Sequence, residues 1–160
     1  MRVLLIVAAI LLSGTARAER EHDLPAAVNA KWKAECSACH IAYPPSLLPE
    51  RSWRELMSGL DRHFGENASL DAASAAEITA FLASNSADRS GRRGAKRMAG
   101  IPAEQAPLRI SETPYFRRKH RDINPVVFSR PAIRSAANCA ACHRGAESGS
   151  FSEHDVRIPR

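Results

Sequence analysis

Large rings are scarce in this chain: only 6% of its 160 residues are Phe, Trp or Tyr. Aromatic side chains carry much of the buried area of ordinary cores, so the polypeptide alone has little with which to build one. Long apolar runs are scarcer still. Residues 3–12 hold only Val, Leu, Ile and Ala, too few to cross a bilayer, which takes about 20 residues. No sustained apolar–polar alternation is present, which argues against half-buried strands. Cysteine stops at four, so few thiols need explaining.

The apolar run has the form of an export signal. Met1-Arg2 gives a short positive start, Ser13-Gly14-Thr15 ends the run, and Ala16-Arg17-Ala18 resembles a peptidase site. Residues 1–18 are therefore predicted to be a signal peptide and the processed chain, 19–160, to be soluble and periplasmic. Its length suits one domain or two small lobes. Processing removes Arg2 and Arg17 from the 23 basic residues, leaving 21 against 17 acidic, a net charge of +4. No aromatic–basic interleaving or helix-turn-helix pattern accompanies that charge, so no nucleic acid is expected as a partner.

All four cysteines fall in one repeated pentapeptide, Cys36-Ser37-Ala38-Cys39-His40 and Cys139-Ala140-Ala141-Cys142-His143. Cys-x-x-Cys-His is the attachment spacing of c-type haem. Cysteines three apart share one side of a helical turn and can both form thioethers to one porphyrin. The histidine that follows then lies beneath the iron and supplies a nitrogen ligand. Cys-x-x-Cys also serves zinc sites, redox dithiols and disulfides. None of those uses needs a histidine after each pair, and no βαβ pattern surrounds either. Two covalent haem c groups are predicted, and their four propionates would roughly cancel the charge of the processed chain.

The apolar positions follow helical periods. Asp23 and Pro25 can open a helix through residues 26–35 that runs into the first motif. Pro44-Pro45 forces an extended stretch ending near Pro49. Ser52, with Glu55 in a capping box, predicts a helix over 51–64. Its apolar side holds Trp53, Leu56, Met57, Leu60 and Phe64, with His63 at the edge and Gly65 as stop. Asp71 opens a third helix to about Asn85. Residues 86–110 lose the pattern and carry Arg92, Arg93, Lys96 and Arg97. They read as a linker or long loop, solvated by default, with docking of an acidic partner as the sharper alternative. Thr113-Pro114 starts a short helix to about Arg121, and Pro131 a helix carrying the second motif. The architecture predicted is mostly α, with little or no β-sheet. An N-terminal haem-binding half (19–85) and a C-terminal half (111–160) flank the basic loop (86–110).

A haem iron in an electron carrier takes a second axial ligand, His or Met. With His40 and His143 proximal, His22, His63, His120 and His154 remain, beside Met57 and Met98. His63 is favoured for the first haem, on a segment returning past the two prolines. Met57, nearly two turns away, is the rival. His120 is favoured for the second, with His154 and Met98 as rivals. Two nitrogen ligands per iron would leave both haems low-spin, lower in potential than a His/Met site, and closed to oxygen or peroxide. Electron transfer is then the expected role, and catalysis is not. A small haem enzyme with one open iron position is the alternative.

Residues 36–73, CSACHIAYPPSLLPERSWRELMSGLDRHFGENASLDAA, and 138–151, NCAACHRGAESGSF, resemble the dihaem cytochrome c family of exported bacterial proteins. The CHxAYPPxLLP and HFGENAS elements are more specific than the haem motif alone. The resemblance implies bis-histidine ligation, with His63 distal at the first haem and His120 at the second. It also implies redox partners: a small monohaem oxygen-binding c-type cytochrome that receives electrons, and a membrane cytochrome b that supplies them. The basic loop of 86–109 departs from the family pattern.

Overall fold

A computed structural model of the chain describes Leu24 and residues 28–160. The signal sequence, His22 and the helix start at Asp23 and Pro25 lie outside the described residues. Five α-helices and a series of single 3-10 turns make up the fold, and among the described residues there is no strand, only two isolated bridges. The architecture is mostly α, in line with the helical periods of the sequence. No described helix is long and apolar enough to cross a membrane.

Helix α1, Ala30–Cys36, starts where the Asn29 side chain accepts from the Trp32 amide at 2.7 Å. It ends on the first cysteine of the first motif. Pro44 and Pro45 break the chain, and a 3-10 turn at Pro45–Leu47 follows. Helix α2, Glu50–Ser58, begins at Pro49 with no side-chain cap. The predicted capping box is therefore absent: Ser52 lies inside the helix, fully buried. The helix predicted over 51–64 breaks at Gly59, and a 3-10 turn, Leu60–Arg62, carries the chain into His63. Phe64 and Gly65 then take positive φ, 54° and 104°, which ends any helix there.

Helix α3, Ala72–Ser84, has its predicted cap: the Asp71 carboxylate accepts from the Ser74 amide at 2.9 Å. It packs on α2 and α1. Trp32, Leu48, Trp53, Ile78 and Leu82 form the core, with Phe81 against Trp32 at 5.1 Å and Met57 packed at its margin. The Trp53 indole donates to the Pro45 carbonyl at 2.6 Å, so this ring is buried with its polar handle satisfied.

Residues 86–110 are not simply a loop. They hold helix α4, Gly91–Met98, which packs on the turn at Ala87–Arg89 and on helix α5, Pro114–Lys119. Gly94 makes that packing possible. A Cβ there would stand 1.8 Å from the Ala87 carbonyl oxygen, so only glycine lets the helix seat. Two glycines and four cations in eight residues hide that helix from a periodicity reading. Thr113 caps α5, accepting from the Phe116 amide at 3.1 Å. No helix grows from Pro131. The second motif instead forms one 3-10 turn, Cys139–Ala141, with the His143 amide on the Cys139 carbonyl at 2.8 Å.

Candidate functional site

The fold gathers the eight predicted site residues into two clusters. In the first, Cys36, Cys39 and His40 leave the end of α1, and His63 arrives from the turn after α2. The His40 and His63 ring centres lie 6.2 Å apart. In the second, Cys139, Cys142 and His143 occupy the motif turn, and His120 caps the C-terminus of α5. The His120 and His143 ring centres lie 6.1 Å apart. Chain segments far apart in sequence thus reproduce one spacing twice.

That spacing has a chemical meaning. A first-row metal bonds an imidazole nitrogen at about 2 Å, so rings facing each other across one metal place their centres about 6 Å apart. Ring nitrogens are also assigned. His40 Nδ1 donates to the Ile41 carbonyl at 2.7 Å, and His120 Nδ1 to the Phe116 carbonyl at 2.9 Å. A carbonyl only accepts, so each Nδ1 carries the proton and each Nε2 keeps its lone pair for a metal. Burial, and then the facing His40, hold His63 below the ordinary imidazole value. Burial and His120 do the same for His143. Neutral imidazole is the form that binds a metal.

The second cluster opens onto a cleft lined by Phe116, Ile123, Phe128, Ile133 and Phe151 among others. A concave apolar wall with a few convergent polar groups is the usual form of a cofactor site. Phe116 stacks on His120 at 4.0 Å, and Phe151 lies 5.3 Å from His143. Beyond the motif, the chain returns to pair Val156 with His143, and the Arg157 amide donates to the Cys142 carbonyl at 2.9 Å. The first cluster is more open, with His40, Cys39 and residues 64–69 exposed. Arg109 covers the Phe64 ring at 4.0 Å beside His63.

All four cysteines are unpaired. Burial pushes the Cys36 and Cys139 thiols up to about 11, and Cys142 in the same direction. Among the described residues no three His, Cys, Asp or Glu side chains converge on one point. The two pairs are therefore not assembled into the all-cysteine zinc site that their spacing allows. Paired imidazoles beside a Cys-x-x-Cys turn fit a covalent haem at each cluster, and at the second an apolar cleft surrounds them.

His154, the rival of His120, is exposed. Three residues that the sequence reading passes over belong to the sites. Tyr43 stacks on His40 at 4.7 Å and donates its hydroxyl to the Ala137 carbonyl at 2.7 Å, joining the two clusters. Phe151 and Val156 close the second cleft from a tail without periodicity. Only the AYPP element flagged Tyr43, and nothing local flagged the tail.

Residues 32–151 match the family described as Dihaem cytochrome c. No curated protein matches. Among solved structures, a diheme cytochrome c from Rhodobacter sphaeroides is 50% identical, with a TM-score of 0.71 over 78% of this chain and 97% of that one. A second structure of the protein purified from that organism is 49% identical, with a TM-score of 0.65 over the same shares. A diheme cytochrome type c from Shewanella baltica OS155 is 37% identical, with a TM-score of 0.68 over 82% of this chain and 93% of that one. The chain belongs to the dihaem cytochrome c family, a mostly α haem c electron carrier with two covalently bound haem groups.

Proposed function

We propose that this protein is a periplasmic carrier of single electrons in which each iron is held by histidine on both faces. His40 and His63 would ligate the first haem, bound through Cys36 and Cys39. His143 and His120 would ligate the second, bound through Cys139 and Cys142. The observation that carries this reading is the pair of ring separations, 6.2 and 6.1 Å.

Each haem, when bound, supplies one ferric–ferrous couple. The chain's own residues do the rest. The carbonyls of Ile41 and Phe116 fix the tautomers of His40 and His120. Phe116, Phe128 and Phe151 wall the second site, and an iron held by two histidines would leave no place for a substrate. The processed chain divides into haem-bearing halves, 19–85 and 111–160, joined by 86–110. Residues 1–18 direct export. Family resemblance supports a membrane cytochrome b as donor and a small monohaem oxygen-binding c-type cytochrome as acceptor.

Electron paramagnetic resonance of the oxidised holoprotein tests the ligation. Two low-spin ferric signals and no carbon monoxide adduct on reduction are expected. A high-spin signal, with the adduct, would assign an open iron to one site and favour a haem enzyme. The mass of the periplasmic protein tests the rest: residues 19–160 plus two haems.

A further inference from the structure

Arg97 is buried to 4% exposure on the inner side of α4, one turn after Gly94, and lines the second cleft with Cys139, Cys142 and His143. Tyr115 favours its charged form, yet among the described residues Nη1 is buried without any acceptor. Arginine stays charged in proteins. A buried charge needs a counter-charge and a full set of acceptors. Among the described residues, the one carboxylate lining the cleft, Glu153, is held by Lys119 at 2.9 Å. Arg93, on the same helix, is a second cation and only adds repulsion. The protein therefore places a cation at an apolar cleft, and the described residues supply no anion for it.

A haem carries its own anions, two propionates. We propose that Arg97 is a cofactor-binding residue whose guanidinium takes a propionate carboxylate of the haem attached at Cys139 and Cys142. A planar guanidinium and a carboxylate pair through parallel N–H···O bonds. This inference rests on the proposed placement of the second haem in this cleft. It gives the basic segment a specific role: from the last turn of α4, it delivers the charge that closes the second site.

The test is a potentiometric titration of the holoproteins Arg97→Gln and Arg97→Lys. A fixed cation beside the ring favours the reduced state. Arg97→Gln is expected to move one of the two midpoint potentials to more negative values and leave the other alone, with Arg97→Lys restoring most of the shift. No shift in Arg97→Gln, or equal shifts in Gln and Lys, would overturn the proposal. A crystal structure of the wild-type holoprotein decides independently of how the variants fold: Nη1 on a propionate oxygen supports the pairing, and Nη1 on a protein acceptor ends it. Mass mapping of the haem-bearing peptides checks the placement separately. Haem on the peptide with Cys139 and Cys142 keeps the underlying reading intact even if Arg97 proves inert.

Discussion

The Tyr43 hydroxyl donates to the Ala137 carbonyl across 94 positions of sequence, at 2.7 Å, while its ring stacks on His40. One side chain thus ties the His40 ring of the first site to the backbone two residues before Cys139. Tyr43→Phe keeps the stack and removes the bond. A loss of about 1 kcal/mol in holoprotein stability is expected, read by denaturant unfolding, with both haem spectra unchanged. Unaltered stability would mean that the bond contributes nothing.

The same phenol reports on pH. Burial above all raises its ionisation from 10.0 to about 12. The folded value exceeds the unfolded one, so the neutral phenol contributes stability that is complete below about pH 10 and fades as pH rises toward about 12. Ultraviolet titration of the wild type minus Tyr43→Phe is expected to isolate a phenolate step near about pH 12. A step at the ordinary phenol value would show the ring to be solvated.

Under the proposed ligation, removing the His63 or the His120 imidazole is expected to open one iron and spare the other. His63→Ala and His120→Ala should each give a single high-spin ferric haem and bind carbon monoxide at one site per molecule when reduced. A variant that stays fully low-spin would remove that histidine from the ligand set.

Gly94→Ala places a methyl against the Ala87 carbonyl, where a Cβ would lie 1.8 Å away. Overpacking of this kind costs about 1–3 kcal/mol. The thermal midpoint of the holoprotein is expected to fall accordingly, with the second haem's spectrum perturbed more than the first's. Wild-type behaviour would mean that α4 sits loosely.

Ending the chain after Asp155 deletes Val156 and Arg157, whose backbones pair with His143 and Cys142. The second haem should react faster with added dithionite and become more open to exogenous imidazole, while the first does not change. Equal behaviour of the two haems would show the tail to be dispensable.

Much of the functional chemistry was legible from residue types at fixed spacing. The two Cys-x-x-Cys-His elements need no tertiary information to be noticed, because they are a matter of side-chain identity and spacing, and the fold brings the candidates His63 and His120 to them. Helix α3 was legible too, since Asp71 caps it locally. What escaped depends on contacts between distant segments. Ser52 looks like a cap, but Pro49 already starts the helix, and packing buries the hydroxyl. Gly94 reads as a helix breaker until Ala87 is seen against it. Arg97 reads as one more solvated cation in a charged run, and its burial follows from that same close approach. Proline at 131 suggests a helix start, yet the second motif closes in a single tight turn.

Residues 86–110 reach both sites: Arg109 lies over Phe64 beside His63, and Arg97 lines the cleft that holds His143. A protease nick between those two arginines would separate their fates. Fragments made by such a cut would not be two autonomous minicytochromes, because the piece carrying Cys36 and Cys39 would lose the Arg109 cover of Phe64, and the piece carrying Cys139 and Cys142 would lose Arg97. Loading of either porphyrin during maturation should therefore influence the other through this shared strap.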